Sequence, residues 1–74
     1  MKTYVLAYLS SEVNKYLTTL YKDSTNHSSS IDEAMKFDTF EIAKAIKEYL
    51  HKYNTNVYKI YCIETNINEV SKED

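Results

Sequence analysis

The chain has no glycine, proline, tryptophan, arginine or glutamine, and only one cysteine in 74 residues. Each absence closes off a class of chemistry. Phosphate-cradling loops, dinucleotide fingerprints and the nucleophile elbow all need backbone conformations that only glycine supplies, so none of them can be present. Without arginine, the planar fork that suits phosphate and guanine is missing, which argues against a basic nucleic-acid-binding stripe. A lone cysteine, Cys62, cannot form an intramolecular disulfide, and this points to a reducing compartment and not to a stapled secreted scaffold. There is no long apolar run, and the start, Met1-Lys2-Thr3-Tyr4-Val5-Leu6, passes straight into an alternating segment. The expectation is a soluble, cytoplasmic protein. Nine lysines against eleven acidic residues give a net charge of -2, too small to select a partner by sign.

What is present indicates one small α+β domain across residues 1–74. Lys2 to Ser10 alternates Tyr4, Leu6 and Tyr8 against Val5, Ala7 and Leu9, and reads as a strand. Asn14 is the predicted left-handed turn residue before a second strand over Lys15 to Lys22, although Val13, Tyr16, Leu17, Leu20 and Tyr21 also fit a helical stripe. Residues 23–30 (DSTNHSSS) read as a polar loop. Ile31, Ala34 and Phe37 suggest a short helical turn running into an extended Met35-Lys36-Phe37. Asp38 and Glu41 resemble a capping box opening a helix to about Tyr53, with a core stripe of Ile42, Ala43, Ile46, Tyr49, Leu50 and Tyr53. Asn54 and Asn56 are placed where glycine usually ends a helix. Val57 to Ile67 reads as the last strand, and residues 70–74 as a frayed tail.

The predicted architecture has two layers: a small antiparallel sheet of about three to four strands, covered on one face by a single helix, in the order ββ(β)αβ. Val5, Ala7 and Leu9 are expected to face the helix together with Tyr58, Ile60 and Cys62. Tyr4, Tyr8, Lys59 and Tyr61 are then expected on the uncovered face.

No nucleophile and base pair, metal pattern or cofactor loop is legible, so the chain reads as a protein other than an enzyme. Cys62 reads as a small core residue and His51 as a solvated helix-end group. A zinc site from His27, His51, Cys62 and one acidic residue has a spacing that matches no compact ligand pattern. The adjacent Asp32 and Glu33 point in different directions and read as an acidic edge. The eight tyrosines are the most informative feature. Tyrosine combines large contact area with a polar tip, which suits a surface that is soluble when free and buried when bound. The same residues also serve to finish a small core, and a homodimer through the uncovered face would add burial to a domain of this size.

Across most of its length the chain resembles the very short accessory proteins of Gram-positive phages and mobile elements. The residues that carry the likeness are Lys2, Tyr4 and Val5, then Ala34, Phe37, Asp38, Thr39, Glu41 and Ala43, and finally Tyr58, Lys59 and Ile60. A residue bias towards AT-rich codons agrees with such a source. The resemblance implies a protein that binds and sterically inhibits a host protein, such as a CRISPR effector nuclease, in the manner of anti-CRISPR inhibitors. Read from the residues themselves, the partner surface is Tyr4, Tyr8, Tyr61 and Lys59, with Asp32 and Glu33 at its acidic edge. The alternative is a small nucleic-acid-binding or regulatory module, with sheet tyrosines stacking on bases and Lys44, Lys47 and Lys59 meeting phosphates.

Overall fold

The computed structural model describes residues 2–21 and 24–64. Four strands, a 3-10 turn and one helix follow in the order β1 (Lys2–Ser10), β2 (Val13–Tyr21), β3 (Ser24–Ser28), the 3-10 turn Ile31–Glu33, α1 (Phe40–His51) and β4 (Lys59–Glu64). All pairings are antiparallel and the sheet order is β3-β2-β1-β4. The first three strands form a meander, and the helix carries the chain back so that β4 pairs with the other side of β1. This is the two-layer α+β architecture the sequence predicts.

The β1–β2 hairpin turns on Ser11 and Glu12, which join the paired residues Ser10 and Val13. Both have positive φ, 51° and 68°, the pattern of a type I′ turn. Asn14, the residue expected there, lies in β2 opposite Leu9. The two-residue loop length requires the positive angles at Ser11 and Glu12, whatever the local preference of Asn14. No asparagine among the described residues has positive φ, so Asn54 and Asn56 are not left-handed either. Instead the Asn54 side chain accepts from the Asn56 backbone N–H at 3.0 Å, an Asx turn that replaces the glycine cap.

Residues 24–28, read as loop from their polarity, form the edge strand β3, paired with β2 from Tyr21↔Ser24 to Tyr16↔Ser28. An edge strand needs little apolar content because half of its backbone and most of its side chains meet water. A β-bulge shifts the register between Leu17 and Thr19. It explains the apparent helical spacing of β2: the extra residue lets Leu17 and Leu20, three apart, both join the core. The predicted extension of β4 to Ile67 and the tail at 70–74 lie outside the described residues.

Phe37 is anchored to the middle of the sheet. Its N–H donates to the Tyr4 carbonyl and its carbonyl accepts from the Tyr4 N–H, both at 2.8 Å, while Met35 N–H donates to the Leu17 carbonyl at 2.8 Å. The extended piece 35–37 thus bonds to both β1 and β2, beyond the Ala7↔Tyr16 pair where their mutual register begins. Because Phe37 is held in extended pairing, the chain stays extended through Thr39, which becomes the N-cap: its Oγ1 accepts from Ile42 N–H at 3.1 Å. The helix therefore starts one residue later than an Asp38 cap implies. It ends at His51, short of the expected Tyr53; it buries Ala43 and Leu50, with Ile46 and Tyr49 packed against the core, while Ile42 and, beyond its end, Tyr53 are exposed.

The core consists of Leu6, Leu17, Phe37, Ala43, Leu50 and Tyr58, with Tyr4, Tyr8 and Ile60 packed around it. The helix-facing side of β1 is therefore Tyr4-Leu6-Tyr8, the reverse of the expectation for this strand. β4 agrees with its expected parity, since Tyr58 and Ile60 point to the core. Both faces of β1 are apolar, so alternation alone does not say which one the helix takes. Val5 and Ala7 on the far face are nonetheless fully buried. The cross-strand partner of Val5 is Tyr61, and those of Ala7 are Tyr16 and Lys59, each a side chain long enough to reach over its smaller neighbour.

Two substitutions test this packing. Leu6→Ala should lower the unfolding free energy by about 2–5 kcal/mol, whereas Leu9→Ala, on the opposite face, should change it by less than about 0.5 kcal/mol. Urea titration followed by circular dichroism measures both, and a comparable loss for Leu9→Ala would reverse the face assignment. Removing the cap with Thr39→Ala should cost about 1 kcal/mol in the same assay.

Candidate functional site

Two surface features are built where β1, β4 and the segment leading into β4 meet. The first is a polar cluster around Tyr58. This residue is only 3% exposed, yet its hydroxyl lies 2.8 Å from His27 Nε2. The side-chain amides of Asn54 and Asn56 approach the same oxygen at 3.4 Å each. Amide nitrogens only donate, so they meet the lone pairs of the hydroxyl and leave its proton for His27 Nε2. That arrangement requires a neutral imidazole with its proton on Nδ1. Burial acts in the same direction, holding the His27 pKa below its ordinary value.

Aromatic contacts surround the cluster. Tyr8 packs edge-on against both His27, with centroids 5.0 Å apart, and Tyr58, at 5.6 Å. The cluster thus ties β3, through His27, to the segment before β4, across the width of the sheet. Behind it, Lys47, Glu48 and His51 of α1 line a cleft of about 310 Å³ with Asn56, Val57 and Tyr58.

The second feature is an open groove of about 540 Å³ on the other side of the segment 55–57. Ala7 and Leu9 of β1 line it on one side, and Lys59 and Tyr61 of β4, with Val57 just before that strand, on the other. Lys59 pairs with Ala7, and Tyr61 follows two residues along, so these side chains stand on the face away from the helix. Ala7 is fully buried and forms the floor. Leu9 and Val57 rise beside it, 69% and 75% exposed, and Tyr61 is 37% exposed. Tyr8, Ser10, Asn14, Thr55 and Asn56 complete the lining, which includes no carboxylate among the described residues.

The residues singled out in the sequence are distributed between these features. Tyr61, Lys59 and Tyr8 meet at the groove. Tyr8 also packs on the core, as does Tyr4, whose ring meets Phe40 edge-on at 6.1 Å, so neither has the uncovered placement expected of it. Asp32 and Glu33 are exposed in the 3-10 turn and line neither cleft. Cys62, expected in the core, is exposed: it shares the parity of Ile60 but stands nearer the strand end, opposite Tyr4. His27, His51 and Cys62 are not brought together, and no group of three or more His, Cys, Asp or Glu side chains that could hold a metal occurs among the described residues. No helix among those residues is long and apolar enough to cross a membrane.

Sequence reasoning missed Leu9 and Val57, because an apolar residue at a strand end looks like core until the parity of the strand is known. It missed the His27–Tyr58 pair for another reason: the two lie 31 residues apart in the chain. No known protein family, curated protein or solved structure matches the chain.

The His27 pairing predicts a pH dependence. A histidine whose pKa is lowered by folding takes up its proton more readily in the unfolded chain, so its stabilising contribution is full above about pH 6.5 and falls as the pH drops through that value towards the folded pKa. Urea midpoints of the wild type should therefore decline from about pH 7 to about pH 5.5, before the carboxylates titrate. The decline should be shallower in His27→Phe; equal slopes would show that His27 is not held neutral.

Proposed function

We propose that this chain is a non-enzymatic interaction protein that binds a larger protein and blocks it sterically through the outer face of β1 and β4. The observation that carries the reading is the groove itself, where Leu9, Val57 and Tyr61 stay exposed around a buried alanine floor. Exposed apolar side chains grouped around a concavity are characteristic of a protein-binding patch. A tyrosine at its edge supplies area and a polar tip together. Within this reading the resemblance to phage accessory proteins makes a host defence nuclease of the CRISPR effector type the proposed target, in the cytoplasm of the host cell.

The nucleic-acid alternative has less support. Lys44 lies exposed on α1, on the covered side of the sheet, whereas Lys59 stands on the other face. The lysines do not form a single basic stripe, and a phosphate chain is held by several aligned cations.

Affinity capture from a lysate of an AT-rich Gram-positive bacterium tests the reading, using the wild type and a Leu9→Lys, Tyr61→Ala double variant shown by circular dichroism to be folded at the assay temperature. A protein retained by the wild type at both about 50 mM and about 200 mM salt, and lost with the variant, is the expected result. The reading fails if both forms capture the same proteins, or if capture disappears with nuclease treatment and higher salt.

A further inference from the structure

We infer that the groove takes an extended peptide segment of the partner, placing an apolar side chain against Leu9 and Val57 and a carboxylate beside Lys59. This inference rests on the interaction reading above and specifies the chemistry of what binds.

Ala7 and Leu9 of β1 face Lys59 and Tyr61 of β4 across the groove, with Val57 just before β4 beside them. Alternate residues of a strand are about 6.6–6.8 Å apart, which is also the spacing of same-side residues in an extended peptide. Ala7 is fully buried, so the apolar contact is offered by Leu9 and Val57, 69% and 75% exposed beside it. Lys59 is the cross-strand partner of Ala7, which puts the only charged group of the described lining next to that apolar pair. No carboxylate lines the groove with it, while Ser10, Asn14, Thr55 and Tyr61 bring hydroxyl and amide groups able to donate. One cation among donors, beside an exposed apolar pair, is complementary to one acidic residue adjacent to an apolar one.

The other occupants fit less well. In a second copy of this chain docked groove to groove, the two-fold axis would set the same patch against itself and bring two Lys59 side chains into one interface. A single-stranded nucleic acid would meet one lysine and two aliphatic walls where it needs aligned cations and stacking rings.

Selection of a random peptide library displayed on phage, against the wild type and against Lys59→Glu, tests the inference. Peptides enriched on the wild type should pair Asp or Glu with a neighbouring apolar residue. Their affinity, measured as synthetic peptides by fluorescence anisotropy, should fall about tenfold or more on Lys59→Glu, and that variant should enrich Lys- or Arg-bearing peptides instead. Enrichment of the same peptides by both proteins, no enrichment at all, or tighter binding of a single-stranded oligonucleotide than of any peptide would overturn it. A partner captured by the wild type but not by the Leu9→Lys, Tyr61→Ala variant, alongside peptide selection indifferent to Lys59, would leave the interaction reading standing and this inference alone refuted.

Discussion

The fold depends on how the backbone of β1 satisfies its hydrogen bonds. On one side β1 pairs with β4 from Lys2 to Ala7. On the other, its paired register with β2 covers Ala7 to Ser10, and Phe37 occupies the edge at Tyr4 with two bonds of 2.8 Å. A central strand cannot leave such groups unpaired without a cost comparable to the loss of whole hydrogen bonds. The short piece 35–37 meets that need, and in doing so sets the place where the chain leaves the sheet, where Thr39 caps α1, and which side of β1 the helix covers.

From that choice the functional surface follows. With Leu6 taken into the core, Leu9 is turned to the far face and stands over the end of the sheet near Val57 and Tyr61. The polar cluster around Tyr58 holds the segment that supplies one wall of the groove, because Asn56 both bonds to the Tyr58 hydroxyl and lines the groove. The surface available to a partner is thus positioned by a buried phenol, two amides and one neutral imidazole.

Much of the fold was legible in the sequence, because long periodic segments carry their own evidence: the alternation in β1, the stripe of Ala43, Ile46, Tyr49 and Leu50 in α1, and the parity of β4. The features that escaped it depend on contacts distant in the chain. Polarity hid β3, since an edge strand such as Ser24–Ser28 has few apolar side chains to announce it. The bulge at Leu17–Thr19 made β2 look part helical. The face of β1 was undetermined because both of its sides are apolar, and that single ambiguity moved Tyr4 and Tyr8 onto the core and Leu9 onto the surface. Half of the site, Tyr61 and Lys59, was legible from the period-two spacing that sets Lys59 and Tyr61 against Tyr58 and Ile60.

The turn at Ser11 and Glu12 has a consequence for how the molecule assembles. Both residues occupy the left-handed region, which costs residues with a Cβ about 1–2 kcal/mol each. A β1–β2 hairpin closed by such a pair gains little from its own turn and is poorly populated in isolation. In the folded chain that local cost is offset by contacts distant in sequence, the pairing of Phe37 with Tyr4 and the packing of α1 against Leu6 and Leu17. Without glycine to relieve it, the turn is held in place by the rest of the fold.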